Sequence, residues 1–261
     1  MNRFNLIAGA FSDKGKFKDT NEDNILVKIG EDKSGDFGMF VVCDGLGGLE
    51  FGEIASNIAV MKLKKWWEEE LAKIIKTKIQ NEIPIILSSV LKKINETIIE
   101  YGIQRNKKLG TTMSLIFIYG GKYYILHVGD SRIYSVKNGI ERLTEDHSYV
   151  AYKVKNKMMT QEQARVSPDR HILMQCIGVK REIDIFKKTG ILNENEIFII
   201  CSDGFYNKLK DEDIKSNILN YDFDDETLQK AAKKLVQIVR SRGETDNISV
   251  ILVGAKKNKI L

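Results

Sequence analysis

The chain has little proline, histidine or cysteine: 2, 3 and 3 residues respectively among 261. With so few prolines and no Ser/Gly-rich tract, neither a flexible linker nor a disordered arm is expected. His127, His147 and His171 have no partner at zinc-like spacing, so a zinc centre is not expected. Cys43 and Cys201 lie in apolar, strand-like runs and Cys176 follows Leu173 and Met174, a pattern of buried, reduced thiols in a cytosolic protein. Leu49, Glu182 and Asn207 stand six residues after the cysteines, where a phosphocysteine mechanism needs Arg. No run of about 18 apolar residues could span a bilayer. The opening MNRFNLIAGAFSDKG reaches Ser12 and Asp13 too soon for a span or a secretory signal, so the expectation is a soluble, cytoplasmic protein without membrane contact. A concentrated charge is missing as well. The net charge of +5 is spread along the chain, which disfavours nucleic acid as a partner.

What the chain does have is alternating order. Ile25–Ile29, Met39–Cys43, Thr112–Tyr119, Lys122–Val128, Arg132–Val136, Glu196–Cys201 and Asn247–Val253 are rich in β-branched and aromatic residues and read as strands. Tyr119-Gly120-Gly121-Lys122 is a hairpin signal between two of them. Helical periodicity covers Glu53–Ile75, then a second helix carrying Ile86, Val90, Ile94 and Ile98, with Asn81 and Pro84 punctuating the break. Glu226–Arg240 places Leu228, Ala231, Leu235 and Val239 on one face. Hairpins favour antiparallel pairing and amphipathic helices must cover a sheet face, so the fold class is α+β and layered. Trp66 and Trp67 sit in a Lys/Glu-rich helix and read as core packing beside a solvated charged face.

The aspartates stand at strand ends. Phe-Val-Val-Cys runs into Asp44-Gly45, Leu-His-Val-Gly into Asp130, and Phe-Ile-Ile-Cys-Ser into Asp203-Gly204. Asp246 and Asp23 do the reverse and precede strands. In antiparallel pairing the start of one strand lies beside the end of its neighbour, so these acids are expected to gather on one rim. Crowded carboxylates repel, and one protonates unless a cation sits among them. All-oxygen ligands select Mg²⁺ or Mn²⁺. Two such ions can lower the pKa of a bridging water and clamp a phosphoryl group for in-line attack, without a side-chain nucleophile.

The ordered motifs carry a resemblance. Ser12-Asp13-Lys14-Gly15 leads to Asn21-Glu22-Asp23, and Val41-Val42-Cys43-Asp44-Gly45-Leu46-Gly47-Gly48 to Gly52-Glu53-Ile54-Ala55-Ser56. Gly110-Thr111-Thr112, Val128-Gly129-Asp130-Ser131-Arg132 and Leu143-Thr144-Glu145-Asp146-His147-Ser148 follow, then Cys201-Ser202-Asp203-Gly204 and Asp246-Asn247-Ile248-Ser249-Val250. From about residue 10 to 253 the chain resembles the protein phosphatase 2C (PPM) family, especially its compact bacterial members. The resemblance implies one catalytic domain over 1–261, a four-layer α-β-β-α sandwich of two antiparallel sheets flanked by helices. It implies hydrolysis of phosphoserine and phosphothreonine on protein substrates by a metal-bridging hydroxide, in opposition to a serine/threonine kinase, by a monomer.

By position, the resemblance gives Asp44 the role of bridging two core ions. Asp203 and Asp246 would hold the first, the Gly45 carbonyl would ligate the second, and Glu22 and Asp23 would act on it through water. Asp130, with Asp203, matches a weaker third-ion site. Residues 149–170 would be a flap beside the site. Lys18 stands where the family usually has a phosphate-binding Arg, and it supplies charge without the planar fork. Leu46 replaces a His found in some members. Arg132 reads as a structural ion pair, His147 as a structural hydrogen-bonding group and His127 as core. A catalytically weak or inactive phosphoprotein-binding module is the alternative, and a two-metal nuclease or phosphodiesterase a second. Asp211-Glu212-Asp213 opens a helix rather than ending a strand, which sets aside a haloacid-dehalogenase chemistry.

Overall fold

The computed structural model describes residues 3–49, 51–76, 82–218 and 224–257. Ten strands form two five-stranded sheets among the described residues, every neighbouring pair antiparallel. The first sheet runs β1(Phe4–Asp13), β10(Ile248–Lys257), β9(Ile197–Cys201), β6(Arg132–Val136) and β7(Ile140–Arg142). The second runs β2(Asp23–Asp32), β3(Gly35–Asp44), β4(Met113–Tyr119), β5(Lys122–Val128) and β8(Phe186–Ile191).

Three cores stack between layers. Phe40, Val42, Ile116, Phe198, Ile200 and Ile251 fill the space between the sheets. On the outer face of the second sheet, Met39, Val41, Leu115 and Phe117 meet α1(Gly52–Glu69), α2(Leu71–Lys76) and α3(Ile83–Arg105). On the outer face of the first, Ile199, Val250 and Leu252 meet α8(Asp225–Ser241) through Leu228, Ala232, Leu235 and Val239, beside the short α6(Asp203–Tyr206) and α7(Asp211–Ile218). Because side chains alternate along a strand, Phe40 and Val42 point one way and Met39 and Val41 the other, so β3 is apolar on both faces. The architecture is the expected α-β-β-α sandwich.

The Gly120-Gly121 turn has φ of 59° and 75°, the two left-handed residues a tight hairpin requires. Trp66 is buried, and Trp67 packs against Phe37 and Phe117, so both tryptophans serve the core. Asn81 lies outside the described residues.

Several expectations need correction. The helix expected over Glu53–Ile75 is two, separated at Glu70. Thr112, Glu196 and Asn247 fall just outside their strands. The opening apolar stretch is β1, whose small residues accommodate α8: a Cβ on Gly9 would lie 2.2 Å from the Leu228 carbonyl carbon. The outward amides of this edge strand are satisfied by α8 side chains, Ala8 donating to Asp225 at 2.8 Å and Ala10 to Gln229 at 2.9 Å. Strand β8 was hidden by Lys187 and Lys188, which are tolerated because it too is an edge.

Candidate active site

Antiparallel register sets the acids. Asp23, the first residue of β2, pairs directly with Asp44, the last of β3. Beside them, Thr112 donates its amide to the Asp44 carbonyl at 2.8 Å, and its hydroxyl accepts the Asp44 amide at 3.0 Å. In the first sheet, Cys201 pairs with both Arg132 and Val250. The same end of that sheet therefore carries Asp130 and Asp203 just beyond the strands and Asp246 just before one.

Polar contacts join the two rims. The Ser202 hydroxyl donates to Asp23 Oδ2 at 2.8 Å and accepts the Ser249 amide at 3.0 Å. Asn247 accepts the Glu22 amide at 2.9 Å and donates to the carbonyls of Lys14 and Thr20, which ties the loop after β1 to the start of β10. Lys18 Nζ lies 3.0 Å from Asp246 Oδ1 and 3.4 Å from Glu22 Oε2. The Gly45 amide donates to the Glu22 carbonyl at 3.1 Å. A Cβ on Gly45 would sit 2.4 Å from the Gly52 carbonyl oxygen, and one on Gly47 2.6 Å from Glu22 Oε2, so this turn wraps Glu22 only without side chains.

The electrostatics follow from the crowding. Burial pushes Asp44 well above the usual carboxylate range, and Asp23, Asp203, Asp130 and Asp246 push it further. Burial likewise lifts Asp23 to about 7; hydrogen bonds from Ser249 and Ser202 oppose the rise, while Asp203 and Asp246 add to it. Asp203 rises to about 6 through burial, Asp246 and Glu244. Burial, Asp203 and Asp146 raise Asp130 well above its ordinary value, against Arg132. Such mutual repulsion is what a cation relieves.

Three observations bear on whether divalent ions fit. Asp23 Oδ1 is buried and has no hydrogen-bond partner, an orphaned acceptor. The donor set is entirely oxygen, as Mg²⁺ and Mn²⁺ prefer. Among the described residues, however, no three His, Cys, Asp or Glu side chains already stand as an ion-holding cluster. The acids form a coupled rim, with the Lys18 ammonium between Glu22 and Asp246, rather than a closed cage. The residues present fit hard cations that would draw them inward.

A second network holds Asp130. Arg132 grips Asp146 with Nη2 at 2.7 Å and Nε at 3.0 Å, and its guanidinium lies 3.6 Å over the Tyr206 ring. The Tyr206 hydroxyl donates to the Asp130 carbonyl at 3.0 Å. His147 accepts the Gly129 amide at 3.3 Å and donates its own amide to the Gly129 carbonyl at 2.7 Å. His127 is buried, with Nδ1 2.9 Å from the Ser114 hydroxyl. Arg132→Met is expected to destabilise the fold by about 2 kcal/mol, the cost of leaving a buried acceptor under-satisfied. It would leave the Asp146 carboxylate, only 7% exposed, with the longer 3.2 Å contact to Arg142 alone. Urea denaturation measures this, and a change below about 0.5 kcal/mol would show the clamp to be idle.

Residues 149–170 form α4(Tyr149–Lys155), α5(Gln161–Val166) and most of a 3-10 turn, Pro168–His171. Lys153 pairs with Asp169 at 2.9 Å and Tyr149 donates its amide to Ile172, which closes the base of this segment. Burial and Arg170 lower His171, while Asp246 and Glu244 draw it upward, so the segment's end lies within electrostatic reach of the rim.

Nothing in the sequence alone sets Ser202, Asn247, Thr112 and Glu244 apart. The first three belong to motif runs already noted, and their roles emerge only when two distant strands meet. Glu244 is buried and accepts the Thr245 and Asp246 amides at 2.8 and 3.1 Å, thereby shaping the approach to Asp246.

Known proteins share this fold. The protein phosphatase 2C family model matches residues 17–243. A curated relative, the serine/threonine phosphatase Stp of Listeria innocua, is 29% identical over 245 residues, with 93% of each chain covered. The crystal structure of the serine/threonine phosphatase Stp1 from Staphylococcus aureus superposes with a TM-score of 0.83 at 27% identity, covering 95% of this chain and 94% of that one. The catalytic domain of the serine threonine protein phosphatase PstP, solved in complex with two manganese ions, shares the fold: TM-score 0.79 at 21% identity, with 97% of this chain and all of that one covered. With the family model matched over most of its length, the chain belongs to the protein phosphatase 2C family.

Proposed function

We propose that this protein is a metal-dependent phosphatase that hydrolyses phosphoserine and phosphothreonine on protein substrates, and that its acidic rim is the catalytic centre. The observation that carries the reading is the meeting of carboxylates from both sheets at one end of the sandwich, with Ser202 bridging to Asp23 and Asn247 to Glu22. Two divalent cations, Mg²⁺ or Mn²⁺, when bound there supply the positive charge and water-activating acidity that phosphate-ester hydrolysis needs. Asp44, Asp203, Asp246 and the Gly45 carbonyl would hold them, Glu22 and Asp23 would act through water, and Asp130 with Asp203 would offer a third position.

The chain's own residues do the rest. Asp44 is held at its backbone by Thr112, and the Gly45 amide is fixed by the Glu22 carbonyl, so the backbone that carries these donors is anchored before any ion arrives. Lys18 supplies cationic charge to the substrate phosphate. In this reading the whole of 1–261 is one catalytic domain, and 149–170 acts as a flap that shapes access. The setting is cytoplasmic, the protein monomeric, and its substrates are made by an opposing serine/threonine kinase. Neither nucleic acid nor membrane takes part; no helix among the described residues is long and apolar enough to cross a bilayer.

Release of inorganic phosphate from a phosphothreonine peptide with Mn²⁺ tests the proposal. Turnover that disappears with EDTA and returns with Mn²⁺ is expected. Tight phosphopeptide binding without any phosphate release would favour the non-catalytic binding module instead.

A further inference from the structure

The loop between β1 and β2 is tied at several points. Gly15 donates its amide to Asp13 at 2.7 Å, Arg240 pairs with Asp13 at 3.1 Å, and Asn247 grips the Lys14 and Thr20 carbonyls. Held this way, the loop sends one ammonium, that of Lys18, into the gap between Glu22 of the second sheet and Asp246 of the first. Gly47 leaves room for it, since a Cβ there would stand 3.1 Å from Lys18 Nζ. Exposed Lys14 and Lys16 flank the same loop, yet only Lys18 of the three pairs with rim acids among the contacts described.

We propose that Lys18 is a tethered counter-ion that neutralises Glu22 and Asp246 until divalent cations take over those carboxylates, so that its displacement sets the affinity of the site for its ions. The inference rests on the proposed function and extends it. A surface lysine facing solvent would leave ion affinity almost untouched, whereas this one occupies charge that the ions must claim. Once displaced, the ammonium is free to meet a phosphate monoester, which links ion loading to phosphate capture. A planar guanidinium would fork onto carboxylates and release them less readily.

The test titrates Mn²⁺ by calorimetry into the full chain after EDTA treatment and dialysis. Lys18→Gln is expected to bind Mn²⁺ about three- to fivefold more tightly than the parent, the scale of two half-exposed ion pairs no longer in competition. Lys16→Gln, which removes the same charge from the same loop, should stay within about twofold at physiological salt. The Mn²⁺-loaded Lys18→Gln protein should in turn bind inorganic phosphate more weakly, and Lys18→Arg should lose the gain in Mn²⁺ affinity. Equal affinity in Lys18→Gln and the parent, or an equal gain in Lys16→Gln, would overturn the counter-ion role while leaving the phosphatase reading intact. Absence of any Mn²⁺ binding by the parent would overturn both.

Discussion

Asp44→Asn is expected to lower Mn²⁺-dependent phosphate release by about a thousandfold, the upper range for losing one charge-stabilising group. The same variant should be more stable than the parent in the absence of metal. Both effects come from one cause. Burial and four neighbouring acids make the ionised Asp44 side chain unfavourable in the folded protein, so a neutral side chain of the same shape removes repulsion. Its place in the sandwich does not depend on charge, because its backbone is fixed to Thr112. Steady-state kinetics with p-nitrophenyl phosphate and thermal melts in EDTA measure the two sides. Turnover within tenfold of the parent would refute the central role of Asp44, and a lower melting temperature in EDTA would refute the repulsion argument.

The second large effect is the response of stability to ions and pH. Asp23 and Asp203 are raised in the folded state, to about 7 and about 6, from ordinary carboxylate values near 3.8. A raised carboxylate means that the folded protein holds protons the unfolded chain has lost. Without metal, stability should therefore fall as pH climbs from about 4 to about 7. Divalent ions bind the deprotonated groups, so in Mn²⁺ the decline should flatten or reverse. At a hundred times the dissociation constant, one bound ion adds about 2.7 kcal/mol, roughly 5–10 °C in melting temperature for a chain of this size. Melts from pH 5 to 8, in EDTA and in Mn²⁺, would show two diverging curves. Coincident curves would mean that no ion is held by these acids.

Much of this was legible in the sequence because the informative signals are local. A run such as Phe40-Val41-Val42-Cys43 ending at Asp44 declares a buried strand and an acid at its tip, and Gly120-Gly121 declares the turn that makes its neighbours antiparallel. Those two facts put Asp44 and Asp130 at the same end of one sheet, while the acids of the other sheet join them only through packing. What escaped is set by partners far away in the chain. Strand β1 has small residues because α8, more than 200 positions later, crosses it closely. Glu70 interrupts a helical pattern that continues on both sides. The resemblance marks Lys18 as a phosphate contact, but its ion pair with Asp246 exists only once the fold brings the two together. Ser202 bonds Asp23 across 179 residues, a pairing no periodicity announces. Electrostatics and cross-sheet hydrogen bonds are tertiary properties, and they decided the details.

The hairpin turns at Ser34 and Gly120-Gly121 lie at the ends of their strands opposite the carboxylates. Extra residues spliced into those tips would lengthen a loop and leave the pairing of Asp23 with Asp44 as it is. One residue added within Ile25–Glu31 would instead rotate every following side chain to the reverse face of the sheet. Relatives of differing size can therefore diverge at the distal turns, where loops grow cheaply, while the strand segments leading to the acids must keep their count.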